Sequence, residues 1–383
     1  YGSVTAPTNI GSGGGWYQGE TDGGGAVCLT VAGTATVNGL ISANGSNTLN
    51  EATGGGSGGS VYLRTGSLAG AGTIRANGGP GSNNNGPNGG GGGGRVAVAL
   101  TSSAAFGSVT CQAFGGTQGG YNGAAGTVYL EKNTDSPGRG HLIVDNNDAT
   151  TLPGYLTDLN GTSSVSYAFS VLTLTNAGIL GIGPYALLNL SNATIRVDAS
   201  DANEGIRITG GALLVPAVFA LSNCYLAVDR AGSAFSPATS LAVGTNGILI
   251  LNEPLTMATD ITMTNGGLMT HDRNTSAEQY KIDLTLSGNL TVATNSRIDV
   301  TAMGYWRQCG PGAPTRYRTG ASHGGLGGRT SNGDSGIPGP TYGSILAPTN
   351  IGSGGGFYMG EVNGGGAIRL TVSGTTTLNG LMT

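Results

Sequence analysis

Two short acidic clusters carry the densest potential chemistry in this sequence: Val144-Asp145-Asn146-Asn147-Asp148, and Val197-Asp198-Ala199-Ser200-Asp201 followed by Glu204. Both read V-D-x-x-D. Carboxylate and amide oxygens at this density are what a hard cation takes as ligands, so Asp145, Asp148, Asp198 and Asp201 form a candidate Ca²⁺ set. The competing reading is a pair of exposed acidic turns. The run Ser191–Asp198 recurs as Ser222–Asp229. If Asp198 and Asp229 stack on adjacent coils, their charges sit about 5 Å apart and repel by about 3 kcal/mol at an effective dielectric of about 20. A bound cation relieves that repulsion, and so do side chains turned to water.

Catalytic sets are scarce. His141, His271 and His323 have no ligand or triad spacing, and each reads as a surface or packing residue. No G-x-S-x-G or P-loop string occurs. The GxGxxG-like strings inside the glycine runs carry no weight, because no strand-to-helix context follows them. Cys28, Cys111, Cys224 and Cys309 lie far apart with no C-x-x-C pair, which argues against zinc and leaves disulfides or buried thiols open. Six N-x-S/T sequons, at Asn44, Asn160, Asn189, Asn192, Asn274 and Asn289, are expected by chance in so Asn- and Thr-rich a chain. Apart from the calcium set, no cofactor is implied, and the reading is of a protein that is not an enzyme.

The elements that must carry these residues follow from composition and repetition. Of 383 residues 75 are Gly and only 14 Pro, and runs such as Val27-Cys28-Leu29-Thr30-Val31 break the Gly-X-Y period, so collagen is excluded. Charged residues make up 9 % and hydrophobic ones 38 %, the reverse of a disordered chain. A net charge of −4 without a basic stripe speaks against nucleic acid. No apolar run approaches the roughly 18 residues of a membrane span.

Residues 1–42 and 342–383 match at 29 of 42 positions without a gap, at an offset of 341. A unit of 341 residues therefore recurs, and the expectation is a polypeptide that continues in both directions. Shorter repeats lie inside it. Gly39–Gly45 recurs as Gly72–Gly78, and Gly59–Leu63 as Gly126–Leu130. Periods of about 20 to 50 residues mean solenoids, propellers or arrays. Period-two alternation, as in Lys281–Ser287, predicts short strands closed by Gly, Asn and Ser corners. The fold class expected is all-β, an elongated parallel β-helix (β-solenoid) with long Gly-rich loops; the Ala-rich stretch 212–221 could hold a helical turn. Asn44 with Asn77, and Asn192 with Asn223, suggest stacked amides at equivalent corners. The runs Gly54–Gly59, Gly78–Gly94 and Gly310–Gly339 are either mobile excursions or extended chains packed backbone to backbone, and 78–94 is the best candidate for a docking or covering loop.

The organisation expected is Gly-rich coils over 1–133, regular coils over 134–302, a Gly-rich junction over 303–341, and the start of the next repeat over 342–383. Trp16-Tyr17, Phe357-Tyr358 and Trp306 are expected to pack the repeat junctions. The strings GGGAVCLTVAGTATVNGLISANG, GGGSGGSVYLRTGSLAGAGTIRANGG and GGGGGGRVAVAL, with GASHGGLGG at 320–328, resemble the glycine-rich tandem repeats of very large bacterial surface and adhesin-like proteins. That resemblance covers 1–133 and 303–383 well, and 134–302 only as generic β-helix. It implies export to the cell surface or extracellular space and a structural or adhesive role, and it brings no catalytic residues. Arg369 stands where the first copy has Cys28, so a fixed cross-link there is not required. Taken together, the sequence points to an extracellular filament or surface fibre built by stacking 341-residue units, each rising roughly 50 to 70 Å at strand spacing. Its partners would be further copies of itself. The alternatives are an adhesin or carbohydrate-binding fibre with glycan partners, and a polysaccharide lyase or hydrolase.

Overall fold

The computed structural model describes residues 2–15, 20–46, 52–83, 86–161, 163–198, 203–235, 237–329, 336–356, 360 and 362–383. Among them there is no helix. The chain is all-β, and its strands pair in parallel in nearly every case and are shared among several sheets. It divides into two compact units, Tyr1–Arg207 with Gly211–Pro216, and Ile208–Gly210 with Ala217–Thr383.

In the first unit Ala26–Thr36, Ser60–Ala69, Arg95–Leu100 and Thr127–Glu131 lie side by side, parallel and in register. Alternate side chains share a face of a strand, so register stacks like on like. Val27, Val61, Val96 and Val128 form one file, and Leu29, Leu63, Val98 and Leu130 the next. Val61, Leu63, Val96 and Val98 are fully buried with Ile74 in one apolar core. Each such side chain contributes about 1.5–3 kcal/mol by leaving water. The 33-residue repeat seen in the sequence is an actual strand pairing: Leu40–Ser42 pairs in parallel with Thr73–Arg75, which pairs with Thr110–Gln112. An antiparallel pairing joins Thr127–Glu131 to His141–Asp145; parallel order then resumes with Val171–Thr175 and Thr194–Val197.

The second unit is more regular. Val218–Leu221, Ser240–Val243, Asp260–Met263, Leu290–Val292 and Thr376–Leu378 make one parallel ladder. Tyr225–Val228, Ile248–Leu251, Leu268–Thr270, Arg297–Ile298 and Leu381–Met382 make a second. Leu255–Met257, Ile282–Leu286 and Ile368–Val372 make a third. Each strand thus pairs with the strand three places on in the chain. Between the first ladder and the second the same corner recurs at Asn223, Asn246, Asn265 and Asn295, all with φ between 50° and 69°. Asparagine tolerates this left-handed conformation better than other side chains with a Cβ.

Amide stacking occurs in a different form from the one expected. Asn246 Nδ2 donates to Asn223 Oδ1 (3.0 Å), whereas Asn44 Oδ1 accepts from the backbone N–H of Asn77 (2.8 Å). The pairing of Asn192 with Asn223 does not occur, since Thr194–Val197 lies against Val171–Thr175 and Tyr225–Val228 against Ile248–Leu251. No helical turn forms in 212–221: Ala212–Leu214 and Val218–Leu221 are strands, their alanines overridden by in-register neighbours.

Over most of their described residues, the glycine runs 54–59 and 78–94 are packed chains, not excursions. Gly58 donates to Gly92 O (2.9 Å), Gly79 to Gly56 O (2.8 Å), Gly91 to Gly79 O (2.9 Å), Gly116 to Gly91 O (2.7 Å) and Gly93 to Ala124 O (2.9 Å). Neighbouring backbones therefore bond in more than one direction. A Cβ on Gly55, Gly78, Gly91 or Gly94 would overlap a neighbouring carbonyl, which is why side chains are missing here. Much of 78–94 belongs to this layer and is not available as a docking loop.

Candidate functional site

The acidic clusters are built into ladders. Asp145 ends one strand and Asp198 follows another, with Val171–Thr175 between them. Asn176 bridges the two carboxylates: its Nδ2 donates to Asp145 Oδ1 (3.0 Å) and its backbone N–H to Asp198 Oδ2 (2.8 Å), which also accepts from Thr175 Oγ1 (2.6 Å). Asp148 is exposed, and Asp201 lies outside the described residues. The buried member of the first cluster is Asn146, whose side chain accepts from Gly115 N–H (2.9 Å) and donates to Gly123 O (3.1 Å), so it ties the glycine layer to the strands. Among the described residues no three His, Cys, Asp or Glu side chains gather as a metal site.

The same arrangement recurs in the second unit, where sequence reading missed it. Asn252 Nδ2 donates to Asp229 Oδ1 (2.7 Å) and Asp272 Oδ2 (2.9 Å), and its Oδ1 accepts from Asp272 N–H (2.7 Å). Asp229 is therefore stacked over an amide, not over Asp198. An amide between two carboxylates relieves the repulsion that a cation would otherwise screen. Asn252 is buried. Replacing it with Leu should cost at least about 2 kcal/mol, because hydrogen bonds to charged groups are worth about 1.5–3 kcal/mol each. Urea unfolding measures this; an unchanged midpoint would show that the stack contributes nothing.

His141 and His271 are packing residues with a consequence for acid stability. His141 shares a 2.8 Å hydrogen bond with Thr173 Oγ1, and burial, helped by Arg196 and Lys132, pulls its pKa down to about 4. His271 is buried; its Nδ1–H donates to the Asp272 carbonyl (2.8 Å), while Nε2 faces Gly366 without a hydrogen-bond partner. Burial lowers its pKa as well. With folded pKa values below the ordinary 6.5, the unfolded chain takes up protons first on acidification. Stability is complete above about pH 6.5 and falls as pH drops towards 4. Urea midpoints should decrease across that window, and replacing both histidines with neutral residues should flatten the profile.

None of the four cysteines forms a disulfide among the described residues. Burial pushes the Cys111 thiol up to about 12, which makes it an unreactive packing group. The sequon residue Asn274 is fully buried, its Nδ2 donating to the carbonyls of Tyr280 (2.8 Å) and Met303 (2.9 Å). A cleft in the first unit is lined by Ser60, Arg95, Thr127, Thr157 and Asp158 among glycines. Asp158 is its one lining carboxylate, with its pKa raised by burial. Glycoside hydrolysis ordinarily needs two.

The best-formed site is the repeat junction within the second unit. Tyr305, Ile351 and Ala367 are buried together, with Cys309 packed against them. Tyr305 N–H donates to Gly352 O (2.9 Å), Gly364 N–H to Tyr305 O (2.9 Å), Gly354 N–H to Cys309 O (3.0 Å) and Gly366 N–H to Val300 O (2.8 Å). Ile282–Leu286 extends this seam by pairing with Ile368–Val372, where Arg369 makes a two-pronged ion pair with Asp283 (Nε–Oδ1 2.7 Å). Trp306 lies 40 % exposed, with the Arg307 guanidinium 4.8 Å from its ring, and contributes backbone rather than its indole. Tyr305 is the buried aromatic here. Trp16, Tyr17, Phe357 and Tyr358 lie outside the described residues.

No protein-family model matches the chain, and no curated protein or solved structure matches it. No helix among the described residues is long and apolar enough to cross a membrane.

Proposed function

We propose that this chain is a non-enzymatic structural protein, a 341-residue β-solenoid unit of a filament or fibre outside the cell or on its surface. The observation that carries the reading is the junction: residues 342–383, which begin a second copy of the unit, are joined to the end of the first copy by the same parallel pairing that joins rungs elsewhere. Strands pairing every third place are the pattern of a three-sided coil, and we take the ladders as its faces. Backbone hydrogen bonds along such a coil resist stretching. The glycine layer lets chains pack at backbone distance, and the amide–carboxylate stacks fix register without a cation. The role needs no reaction.

Oriented fibres of the native material should diffract at about 4.8 Å along the fibre axis, because strands stack in that direction. A 4.8 Å reflection perpendicular to the axis, or none, would contradict the proposal. Binding of the same material to a glycan panel with no fibre present would favour the adhesin reading instead.

A further inference from the structure

Asparagine followed by glycine is a reactive pair, because glycine has no Cβ to hinder its backbone nitrogen from approaching the asparagine side chain. The fold suppresses that approach wherever it commits the glycine N–H elsewhere. Gly45 donates to Asn77 O (2.9 Å), Gly78 to Phe114 O (2.8 Å), Gly123 to Gly116 O (2.9 Å), Gly247 to Gly244 O (2.9 Å), Gly364 to Tyr305 O (2.9 Å) and Gly380 to Val292 O (3.0 Å). Each of these glycines follows an asparagine.

Asn160-Gly161, within the first unit, is different. Gly161 N–H donates to Oδ1 of Asn160 itself (2.9 Å). Cγ is one bond of about 1.2 Å from that oxygen. The glycine nitrogen and the side-chain amide carbon are thus held near the roughly 3–3.5 Å of a near-attack pair, and a turn of χ2 presents the carbon. The surroundings fix this placement. Leu159 is 1 % exposed and its carbonyl accepts from Gly183 N–H (3.3 Å). The Asn160 side chain lies over Gly183, where a Cβ would come 2.8 Å from Asn160 Cγ. It also hydrogen-bonds the Asp158 carboxyl, which turns Nδ2 to Asp158 and leaves Oδ1 for Gly161. Asn160 is exposed, so water reaches it.

We propose that Asn160 is a self-modification site, at which the Gly161 nitrogen attacks Asn160 Cγ and the chain deamidates through a cyclic imide. The bond from Gly161 N to Cγ forms and the bond from Cγ to Nδ2 breaks. The proton lost by the glycine nitrogen is balanced by the one the departing NH₂ takes up, and the group leaves as ammonia. Solvent water then opens the ring. Attack at Cγ breaks the new bond and gives aspartate. Attack at the main-chain carbonyl of residue 160 breaks the original peptide bond and gives isoaspartate, whose backbone is one methylene longer just past strand Thr157–Leu159. Either product sets a new carboxylate beside Asp158, which lines the cleft with Arg95. The chain therefore ages at a defined point, whatever its role in a fibre.

The test compares sites within one molecule, so it needs no variant that could misfold. The folded full chain is held in mildly alkaline buffer and mapped at intervals by peptide mass spectrometry, with electron-transfer fragmentation to tell isoaspartate from aspartate. Asn160 should convert at least about tenfold faster than Asn77 and Asn246, since misplacing reacting groups by about 1 Å costs up to about a hundredfold. Isoaspartate should be among its products. The same chain unfolded in urea should lose the difference, because the glycine nitrogens at Gly78 and Gly247 are then released from their backbone partners. Equal rates at Asn160, Asn77 and Asn246 in the folded chain would overturn the proposal. So would an excess at Asn160 that persists in urea, which would trace to local sequence and not to the held geometry. Loss of the Asn160 amide with aspartate as the sole product would mean direct hydrolysis and would overturn it too.

Discussion

Replacing Gly94 with valine will cost about 3 kcal/mol or more, the range for overpacked sites that cannot relax. Gly94 donates to Ala76 O (2.7 Å) and accepts from Thr127 N–H (3.0 Å), so its backbone is held between two rungs. A Cβ there would overlap Gly59 O and lie 2.6 Å from the carbonyl carbon of Gly58. Those obstacles are backbone atoms of a strand start, not the ends of flexible side chains. Gly92 is the matched control. The nearest atom to its Cβ position is Ala124 O at 3.9 Å, so Gly92→Ala should stay within about 0.5 kcal/mol. Urea unfolding of the two variants separates a steric requirement for glycine from a merely compositional one; equal midpoints would refute the packed layer.

The second large effect is expected at the junction, again as a matched pair. Ile351→Asp places a carboxylate in the buried cluster of Tyr305 and Ala367. Burying an unpaired charge belongs to the short list of changes that cost about 4 kcal/mol. The loss should concentrate in residues 342–383 and appear as faster hydrogen exchange at the amides of Gly354, Gly364 and Gly366, which are bonded across the junction. Ile10→Asp makes the same change at the equivalent position of the first copy, where the side chain is mostly exposed. It should leave chain stability within about 0.5 kcal/mol. Equal destabilisation by the two variants would mean that the junction does not depend on this cluster.

Much of the fold was legible in the sequence because parallel in-register stacking turns sequence repetition into spatial contact. The 33-residue recurrence of Gly39–Gly45 is an actual pairing of Leu40–Ser42 with Thr73–Arg75. The same logic misled at Ser191–Asp198 and Ser222–Asp229. These segments resemble each other because both are short strands after an Asn corner, yet each pairs with a different neighbour. Similar corners precede strands of different sheets, so likeness alone does not identify pairing partners. The amide–carboxylate stacks were hidden for a related reason. Asp229, Asn252 and Asp272 share no local motif, and only the ladder of Tyr225–Val228, Ile248–Leu251 and Leu268–Thr270 brings them into line. The glycine layer was half legible: composition announced close approach, but the partner of each glycine depends on where neighbouring rungs begin. At the junction, the indole of Trp306 drew attention, while the smaller change from exposed Ile10 to buried Ile351 carries the difference between the two copies.

The central claim is that 341-residue units stack through this junction along one axis. Cryo-electron microscopy of the native assembly measures the axial repeat directly. Stacked units should give a stiff fibre repeating every roughly 50 to 70 Å, the rise of about 11 to 15 strand layers at strand spacing. Discrete particles that do not polymerise, or a fibre whose repeat falls well outside that range, would contradict it.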